Sequence, residues 1–311
     1  MKGTCLEIDI RDAISRLQFA PRSNNLLISS WDSTLRLYDV DNGLLRLDAS
    51  MEVGLLGCCF QDETVAVSIG SDCCVRRHDL HSNIHTLLGN HDDLVTCVEY
   101  SEESCQTITG GLDRKIISWD MRMENSIGFS KVIDGELESM SLHGFHLILA
   151  CGTSINMYDL RCLKEPLHTK ESCVDYRIRC IRLFPNCQGY AVGSIDGRVA
   201  VEFLSQYDTN ELSYTFRCHP KSKDGMYYLA SVNDIVFHPS CHSAFVTGDN
   251  EGYVIKWDSH CRKRLFELPK YQGCVASLSY NHGEQLLAVA SSQTFQEANE
   301  IEAPQICIYN E

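Results

Sequence analysis

The residues best suited to binding chemistry are four arginines in the second half of the chain: Arg177, Arg179, Arg198 and Arg217. A planar guanidinium group can pair with both oxygens of a carboxylate or phosphate at once. Residues 161–223 contain ten Lys or Arg and seven Asp or Glu, so this stretch is basic within a chain of net charge −15. The pattern predicts a surface that binds an acidic or phosphorylated partner segment, the alternative being a solvated face without a partner.

Trp31 adds an aromatic side chain to this set. It lies in SSWDSTLRLYDV (29–40), at the tip of a predicted turn where a small residue would be easier to accommodate. Trp and Arg are the residue types that most often dominate the binding energy of protein interfaces. We interpret Trp31 as an anchor for a partner. The alternative is a Trp that packs on a neighbouring loop.

Motifs that would indicate catalysis are absent from the sequence, which has no Gly-x-Ser-x-Gly elbow, no glycine loop for phosphates and no dinucleotide fingerprint. Histidines occur in close groups, but none of the groups has the paired ligand spacing of a structural zinc site: His78 with His81 and His85, His143 with His146, and His238 with Cys241 and His242. We therefore predict a protein that is not an enzyme and that has no catalytic residue, metal or cofactor.

The composition is that of a globular protein, with 44% hydrophobic and 22% charged residues. The net charge of −15 argues against direct nucleic-acid binding, which requires basic residues to neutralise phosphates. The first twelve residues, MKGTCLEIDIRD, include three carboxylates and no apolar signal region. The longest uncharged run, 139–158, contains His, Ser, Gly and Asn and is typical of two strands around a turn. A soluble intracellular protein without membrane contact is predicted.

The chain has 17 Cys, an odd number, and contains no Cys-x-x-Cys pair. The adjacent pairs Cys58–Cys59 and Cys73–Cys74 are poorly placed to form disulfides. We interpret the cysteines as small buried hydrophobic residues of a protein in a reducing compartment.

An acidic turn followed by an aromatic-Asp ending recurs along the chain, in the segments SSWDSTLRLYDV (29–40), GSDCCVRRHDL (70–80), GGLDRKIISWDM (110–121), ACGTSINMYDL (150–160), GSIDGRVAVEF (193–203) and GDNEGYVIKWD (248–258), with QICIYNE (305–311) as the end of a seventh. A period of about 40–45 residues with Trp-Asp-like endings is typical of propeller blades. Alternating apolar runs between turn residues indicate four short strands per blade. We predict an all-β, seven-bladed WD-repeat β-propeller, with residues 1–311 as a single domain.

Ring closure follows from counting strands. The last unit has three predicted strands, at about 274–280, 285–290 and 305–309, and the segment TCLEIDI (4–10) has strand character but no blade of its own. We predict that this N-terminal strand completes the last blade and covers an edge that would otherwise be unpaired.

In such a blade, the loop that leads into the first strand and the turn between the second and third strands lie on one face. Trp31 lies on such a turn in blade one, and the four arginines lie on such loops and turns around blade five. We name the face that carries Trp31, Arg177, Arg179, Arg198 and Arg217 the top face, and we predict that it binds a peptide.

Four segments resemble the Bub-type (Bub-three) family of WD-repeat mitotic checkpoint proteins: SSWDSTLRLYDV, NHDDLVTCVEY, RIRCIRLFPNCQGYAVGSIDGRVAVEF and FRCHP…VNDIVFHP. The resemblance implies a non-enzymatic adaptor, a monomer by itself, that binds GLEBS-type motifs of checkpoint kinases or related proteins. It also implies binding of phosphothreonine in Met-Glu-Leu-Thr repeats of a kinetochore scaffold. The implied locations are the nucleus, the kinetochores of mitotic chromosomes and the cytoplasm.

The same resemblance implies roles for individual residues. Trp31 and Arg179 match family residues that line the motif site, and Arg198 and Arg217 match basic residues near the sites for motif carboxylates or the phosphate. In blade three, the WD-repeat pattern implies a hydrogen-bonded chain from Trp to Thr, Thr to His and His to Asp: Trp119, Thr109, His91 and Asp113. Blade six offers a variant set: His219, Thr247, Glu251 and Trp257. The turn carboxylates Asp32, Asp72, Asp113 and Asp196 are interpreted as structural.

Two alternatives stay open at this point. One is the related nuclear-pore propeller of mRNA export. The other comes from WDMR (119–122) and YDLR (158–161), which resemble the box by which propellers dock on the adaptor of the cullin-four ubiquitin ligase, with Arg122 and Arg161 making that contact. The chain departs from the checkpoint pattern at Pro220, where a basic residue is typical, although Lys221 follows.

Overall fold

The computed structural model describes residues 3–120, 122, 127–204, 213–218, 230–241, 243–293 and 303–311. The strands are β1 (Gly3–Cys5), β2 (Ile14–Phe19), β3 (Asn25–Ser30), β4 (Thr34–Asp39), β5 (Leu44–Ser50), β6 (Leu55–Phe60), β7 (Val65–Gly70), β8 (Cys74–Asp79), β9 (Ile84–Asn90), β10 (Val95–Ser101), β11 (Gln106–Gly111), β12 (Lys115–Asp120), β13 (Ile127–Val132), β14 (Ser139–His143), β15 (His146–Cys151), β16 (Ser154–Asp159), β17 (His168–Glu171), β18 (Ile178–Leu183), β19 (Gly189–Ser194), β20 (Arg198–Phe203), β21 (Tyr214–Arg217), β22 (Val232–Phe237), β23 (Ala244–Asp249), β24 (Val254–Asp258), β25 (Lys263–Glu267), β26 (Cys274–Tyr280), β27 (Leu286–Ser292) and β28 (Gln305–Asn310). Over these ranges there is no α-helix, and hence no helical segment long and apolar enough to span a membrane.

The strands form seven antiparallel sheets of four, which confirms the predicted seven-bladed propeller. Blades one to six take consecutive strands, from β2–β5 to β22–β25, and blade seven has the order β26-β27-β28-β1. The first strand of each blade contacts the first strands of both neighbours, and contact between β2 and β26 closes the ring. Side-chain hydroxyls join these inner strands: Ser139 Oγ accepts from Ile181 N at 3.1 Å, and Ser277 Oγ accepts from Leu17 N at 3.1 Å.

The hydrophobic core lies between neighbouring blades. Leu26 and Ile28 of blade one, for example, are fully buried against Ala288, Ala290 and Ile306 of blade seven. Middle strands such as β3 and β4 are packed on both faces and are almost entirely buried, whereas the outer strand β5 is largely exposed. Each fully buried aliphatic side chain stabilises a fold by ~1.5–3 kcal/mol, so these contacts between blades make a large contribution to stability.

The N-terminal strand closes the ring as predicted. β1 pairs with β28 in antiparallel register, with Thr4 opposite Ile308 and Cys5 opposite Cys307. Beyond β1, Ile10 is buried in the cluster shared by blades one and seven. The first ten residues therefore contribute both an outer strand and core contacts.

One cysteine expectation was wrong: Cys5 and Cys307 form a disulfide. The two residues are 302 positions apart in sequence, and only the strand register of the closed ring places them opposite each other. The other fifteen cysteines are free, and six of them are buried. Burial raises the pKa of the Cys58 thiol to about 11 and that of Cys151 to about 12, so these thiols are protonated and inert at neutral pH.

Candidate peptide-binding face

The top face of blade five is assembled from three segments that hydrogen bonds hold together. Arg177 precedes β18, Arg179 lies in it, Arg198 begins β20, and Arg217 ends β21. Ile195 N donates to Arg177 O at 3.2 Å, which joins the turn before β20 to the loop before β18. Arg198 and Arg217 are register partners on neighbouring strands. All four predicted arginines therefore lie at the same end of blade five.

Trp31 lies on the equivalent turn of blade one, between β3 and β4, and thus on the same face. Its side chain is 46% exposed, and its ring covers Gly54, where an added Cβ would lie 2.9 Å from Trp31 Cε3. Trp31 thus packs on the loop that leads into blade two and still presents a large apolar surface to solvent. One face of the indole therefore packs on a neighbouring loop, and the other face is available to a partner.

Trp31 and Arg179 line the same cavity, although they come from blades one and five. The cavity has a volume of about 400 Å³ and occupies the central channel, where the inner strands meet. Arg179 is exposed, and no carboxylate in the described part of the chain pairs with it. The channel mouth therefore offers one aromatic surface and one accessible guanidinium group to a ligand.

The other three top-face arginines have internal partners that the sequence did not predict. Arg177 pairs with Glu138 and lies 3.8 Å from Glu136 of the preceding blade, while its side chain stays 53% exposed. The pair with exposed Glu136 contributes little to stability because solvent screens it. The Glu138 side chain is only 12% exposed, so a ligand that draws Arg177 away leaves that carboxylate without this partner and has to compensate for the loss.

Arg198 and Arg217 share one buried carboxylate, that of Asp196. Arg198 Nε lies 3.0 Å from Asp196 Oδ2, and Arg217 Nη2 lies 3.9 Å from the same oxygen. Asp196 is 2% exposed, so its charge is fixed between the two guanidinium groups. Arg198 Nη1 also lies 3.2 Å from Asp175 Oδ2, a side chain that is 81% exposed. Among the described residues, Arg198 thus has one buried and one exposed carboxylate within reach, and Arg217 shares the buried one.

Sequence reasoning missed two further arginines, Arg16 and Arg182, which line the central channel. Arg16 Nη2 donates to Glu99 Oε1 at 2.6 Å, and Arg182 Nη2 donates to Asp234 Oδ1 at 2.8 Å. Both lie on inner strands, at positions that alternate with buried apolar residues. This pattern places both side chains towards the channel, and it is the sequence feature from which they could have been predicted.

Arg122 and Arg161 lie at the opposite end of the ring, in the turns that follow β12 and β16. Each donates to the Asp two residues earlier, Arg122 Nη2 to Asp120 Oδ2 at 2.8 Å and Arg161 Nη2 to Asp159 Oδ2 at 2.5 Å. These hydrogen bonds lower the pKa of both carboxyl groups to about 2. The two arginine side chains stay about two-thirds exposed, at 65% and 66%, but each is paired with the Asp of its own turn.

Blade three contains the four-residue chain in full. Trp119 Nε1 donates to Thr109 Oγ1 at 2.7 Å, Thr109 Oγ1 is 2.8 Å from His91 Nε2, and His91 Nδ1 is 2.9 Å from Asp113 Oδ2. Burial lowers the pKa of His91, although Asp113 opposes this, so the imidazole is neutral at pH 7. Nδ1–H therefore donates to the carboxylate, and Nε2 accepts from the Thr109 hydroxyl. The chain is internal and structural.

Blade six differs from its predicted set. Trp257 Nε1 donates to Thr247 Oγ1 at 2.9 Å, as in blade three. Glu251 instead faces Lys270, with Oε2 3.7 Å from Nζ. His219, Pro220 and Lys221 lie outside the described residues. The carboxylate that stabilises this turn is Asp249, whose Oδ1 accepts from Glu251 N at 3.0 Å. Among the other turn carboxylates, Asp32 accepts from Thr34 N at 3.1 Å, and Asp72 pairs with Arg76.

The family described as "WD domain, G-beta repeat" matches residues 4–39 and 81–120. "Mitotic checkpoint protein BUB3.3" of Arabidopsis thaliana is 46% identical to this chain, over 99% of each protein. "Mitotic checkpoint protein BUB3.1" of the same plant is 40% identical, over 94% of this chain and 88% of its own. The "mRNA export factor GLE2" of Chaetomium thermophilum is 28% identical, over 90% of this chain and 81% of its own.

Proposed function

We propose, since the chain belongs to the BUB3 family of mitotic checkpoint proteins, that its top face holds GLEBS-type motifs of checkpoint kinases and phosphorylated repeats of a kinetochore scaffold. As a family member, the protein is a WD-repeat scaffold of the spindle assembly checkpoint. The scaffold acts in the nucleus and at kinetochores, where it brings its partners together without chemistry of its own.

The observation that carries this proposal is that Trp31 and Arg179 line one cavity in the central channel. An apolar side chain of the motif covers the exposed face of the indole, and an acidic side chain pairs with Arg179. A carboxylate gains more from Arg179 than from its neighbours because no internal anion of the described chain has to leave first. Aromatic and Arg anchors of this kind dominate the binding energy of interfaces.

The phosphate of the second ligand fits the Arg198 and Arg217 cluster. Buried Asp196 lies between the two guanidinium groups, and exposed Asp175 pairs with Arg198. A phosphothreonine carries a charge of about −1.5 to −2 and three acceptor oxygens, so it competes well with the single, exposed carboxylate of Asp175. The same geometry makes Asp175 a counter-ion that has to move when the phosphate arrives.

The GLEBS site is tested by isothermal titration calorimetry with a synthetic GLEBS peptide and the full chain. Arg179→Glu is expected to weaken binding at least tenfold, which corresponds to about 1.4 kcal/mol, because it places like charges at the motif carboxylate. Arg161→Glu, which changes another exposed arginine at the other end of the ring, is the control and is expected to leave the affinity unchanged. Equal affinities for all three proteins would reject the site.

The phosphate site is tested in the same way with a peptide that contains Met-Glu-Leu-phosphothreonine. Arg198→Ala is expected to weaken binding about tenfold, whereas Asp175→Asn removes the internal competitor and is expected to strengthen it about two- to threefold. The unphosphorylated peptide is the control for both variants. If both variants bound the phosphorylated peptide with the affinity of the unmodified chain, the phosphate would have to bind elsewhere.

The two alternative functions have weaker support. The mRNA-export relative is 28% identical to this chain, against 46% for the checkpoint relative. Arg122 and Arg161, the residues of the ligase interpretation, are each engaged by the Asp of their own turn. Neither observation favours a nuclear-pore or ubiquitin-ligase role over the checkpoint role.

A further inference from the structure

The disulfide between Cys5 and Cys307 joins the two ends of the ring. It connects β1 to β28, the outer pair of strands in blade seven, at positions that are direct register partners. β1 is three residues long, and all three are exposed. Apart from the disulfide, this strand is attached to β28 by a ladder of three paired positions and by the bond from Leu6 N to Ile306 O at 2.8 Å.

The two cysteine residues differ in exposure. Cys307 is 2% exposed, whereas Cys5 lies on the exposed edge strand. A cavity of about 260 Å³ is lined by both residues, together with Tyr309 and Lys270. A thiolate that approaches from solvent therefore meets the Cys5 side of the bridge first.

The cysteines outside this bridge are thiols. All fifteen other cysteines are free, including exposed ones such as Cys162 and Cys261. A single disulfide in a chain that otherwise keeps its thiols is typical of a redox-sensitive pair rather than of a disulfide framework. It also lies at the one place where the covalent continuity of the ring is interrupted.

We propose that Cys5–Cys307 is a reversible redox-modification site that controls how firmly the propeller is closed. A cellular dithiol reductant of the Cys-x-x-Cys class attacks Cys5 Sγ through one thiolate, and the S–S bond breaks, releasing Cys307 as a thiolate that takes up a proton. The second thiolate of the reductant then attacks the mixed disulfide. Cys5 leaves as a thiol after protonation, and the reductant becomes a disulfide, so two electrons and two protons pass to the protein.

Opening the disulfide leaves β1 held by its short ladder and by the hydrogen bond from Leu6 N to Ile306 O, and the outer edge of blade seven then exchanges and frays more readily. The reverse reaction, by exchange with the oxidised form of such a reductant, restores the closed ring. The oxidised form therefore has the higher thermal stability, because the bridge removes freedom from the unfolded chain across almost its entire length.

The test uses the full chain, oxidised and then treated with thioredoxin, thioredoxin reductase and NADPH. Alkylation of the denatured protein is expected to count fifteen thiols before treatment and seventeen after it. Treatment is expected to lower the melting midpoint by about 5 °C or more. It is also expected to speed hydrogen exchange in β1 and β28 while leaving blade three unchanged.

Three variants keep the result interpretable. Cys5→Ser is expected to melt at the midpoint of the reduced protein and to be insensitive to treatment, and Cys307→Ala repeats this test from the other side of the bridge. Cys261→Ser, which removes an exposed free thiol, is expected to behave like the unmodified chain. Seventeen alkylated thiols in the untreated protein would overturn the proposal, and so would identical midpoints and exchange rates before and after treatment.

Discussion

Thr109→Val is expected to lower the free energy of unfolding by about 2–4 kcal/mol, although it changes few atoms. The Thr109 hydroxyl is the central member of the blade-three chain, accepting from Trp119 Nε1 at 2.7 Å and bonding His91 Nε2 at 2.8 Å. Valine has nearly the same shape, so packing is retained while both hydrogen bonds are lost.

The magnitude follows from what the substitution leaves behind. Trp119 is 0% exposed and His91 is 3% exposed, so water cannot replace the lost partner of either group. A buried donor or acceptor without a partner costs ~1–3 kcal/mol, and here there are two of them, one indole N–H and one imidazole nitrogen. Blade six offers a matched control: Thr247 Oγ1 accepts from Trp257 Nε1 at 2.9 Å and donates a long bond to the backbone oxygen of Ile255 at 3.4 Å, and Trp257 is partly exposed.

Urea unfolding, followed by circular dichroism at pH 7, measures both variants under one protocol. Thr247→Val is expected to cost under about 1 kcal/mol, since water reaches the freed indole. A change in the unfolding midpoint without a change in the slope attributes the effect to stability. A loss below about 0.5 kcal/mol for Thr109→Val, or equal losses in the two variants, would refute the assignment of the chain as a stabilising buried network.

Three further outcomes are expected. Deleting residues 1–10 should lower the melting midpoint of the entire ring, because it removes the outer strand of blade seven and the buried Ile10; an unchanged midpoint would contradict the closure. Gly54→Ala should weaken GLEBS-peptide binding several-fold with the fold intact, because its Cβ displaces the indole of Trp31; calorimetry would contradict this if affinity were retained. The hydrogen bond from Arg76 lowers the pKa of Asp72 to about 2, below an unfolded value of ~3.9, so its stabilisation is present above pH ~4 and is lost as the pH falls towards 2. The difference in urea midpoint between the unmodified chain and Asp72→Asn should therefore shrink over that window, and a difference that persists at pH 2 would exclude this linkage.

Some features could be derived from the sequence because they depend on near neighbours. The turn Asp residues lie within a few positions of the groups they bind, as Asp120 does with Arg122. Strand alternation is equally local, and the repeat period follows from it. Even ring closure could be inferred, since the last unit lacked one strand and the first residues had one to supply.

Contacts between blades could not be derived in this way. Arg177 pairs with Glu138, 39 residues earlier, and Arg16 reaches Glu99 across the channel, 83 residues later. Sequence reasoning described the top-face arginines by their type and side of the ring, but it did not identify the anions that face them. The partner of an ionic group in a propeller depends on the angle between blades and on the rotamers at their contacts, which no sequence spacing reports.

By itself, then, the sequence determined the repeat, the strand count and the face on which Trp31 and the arginines lie, because local turn chemistry and strand alternation dictate all three. The tertiary structure decided that Trp31 and Arg179 share one cavity, that Asp196 lies between two guanidinium groups, and that Cys5 meets Cys307. These three results depend on closing a ring, which brings together residues from distant blades at distances that only the packed sheets define.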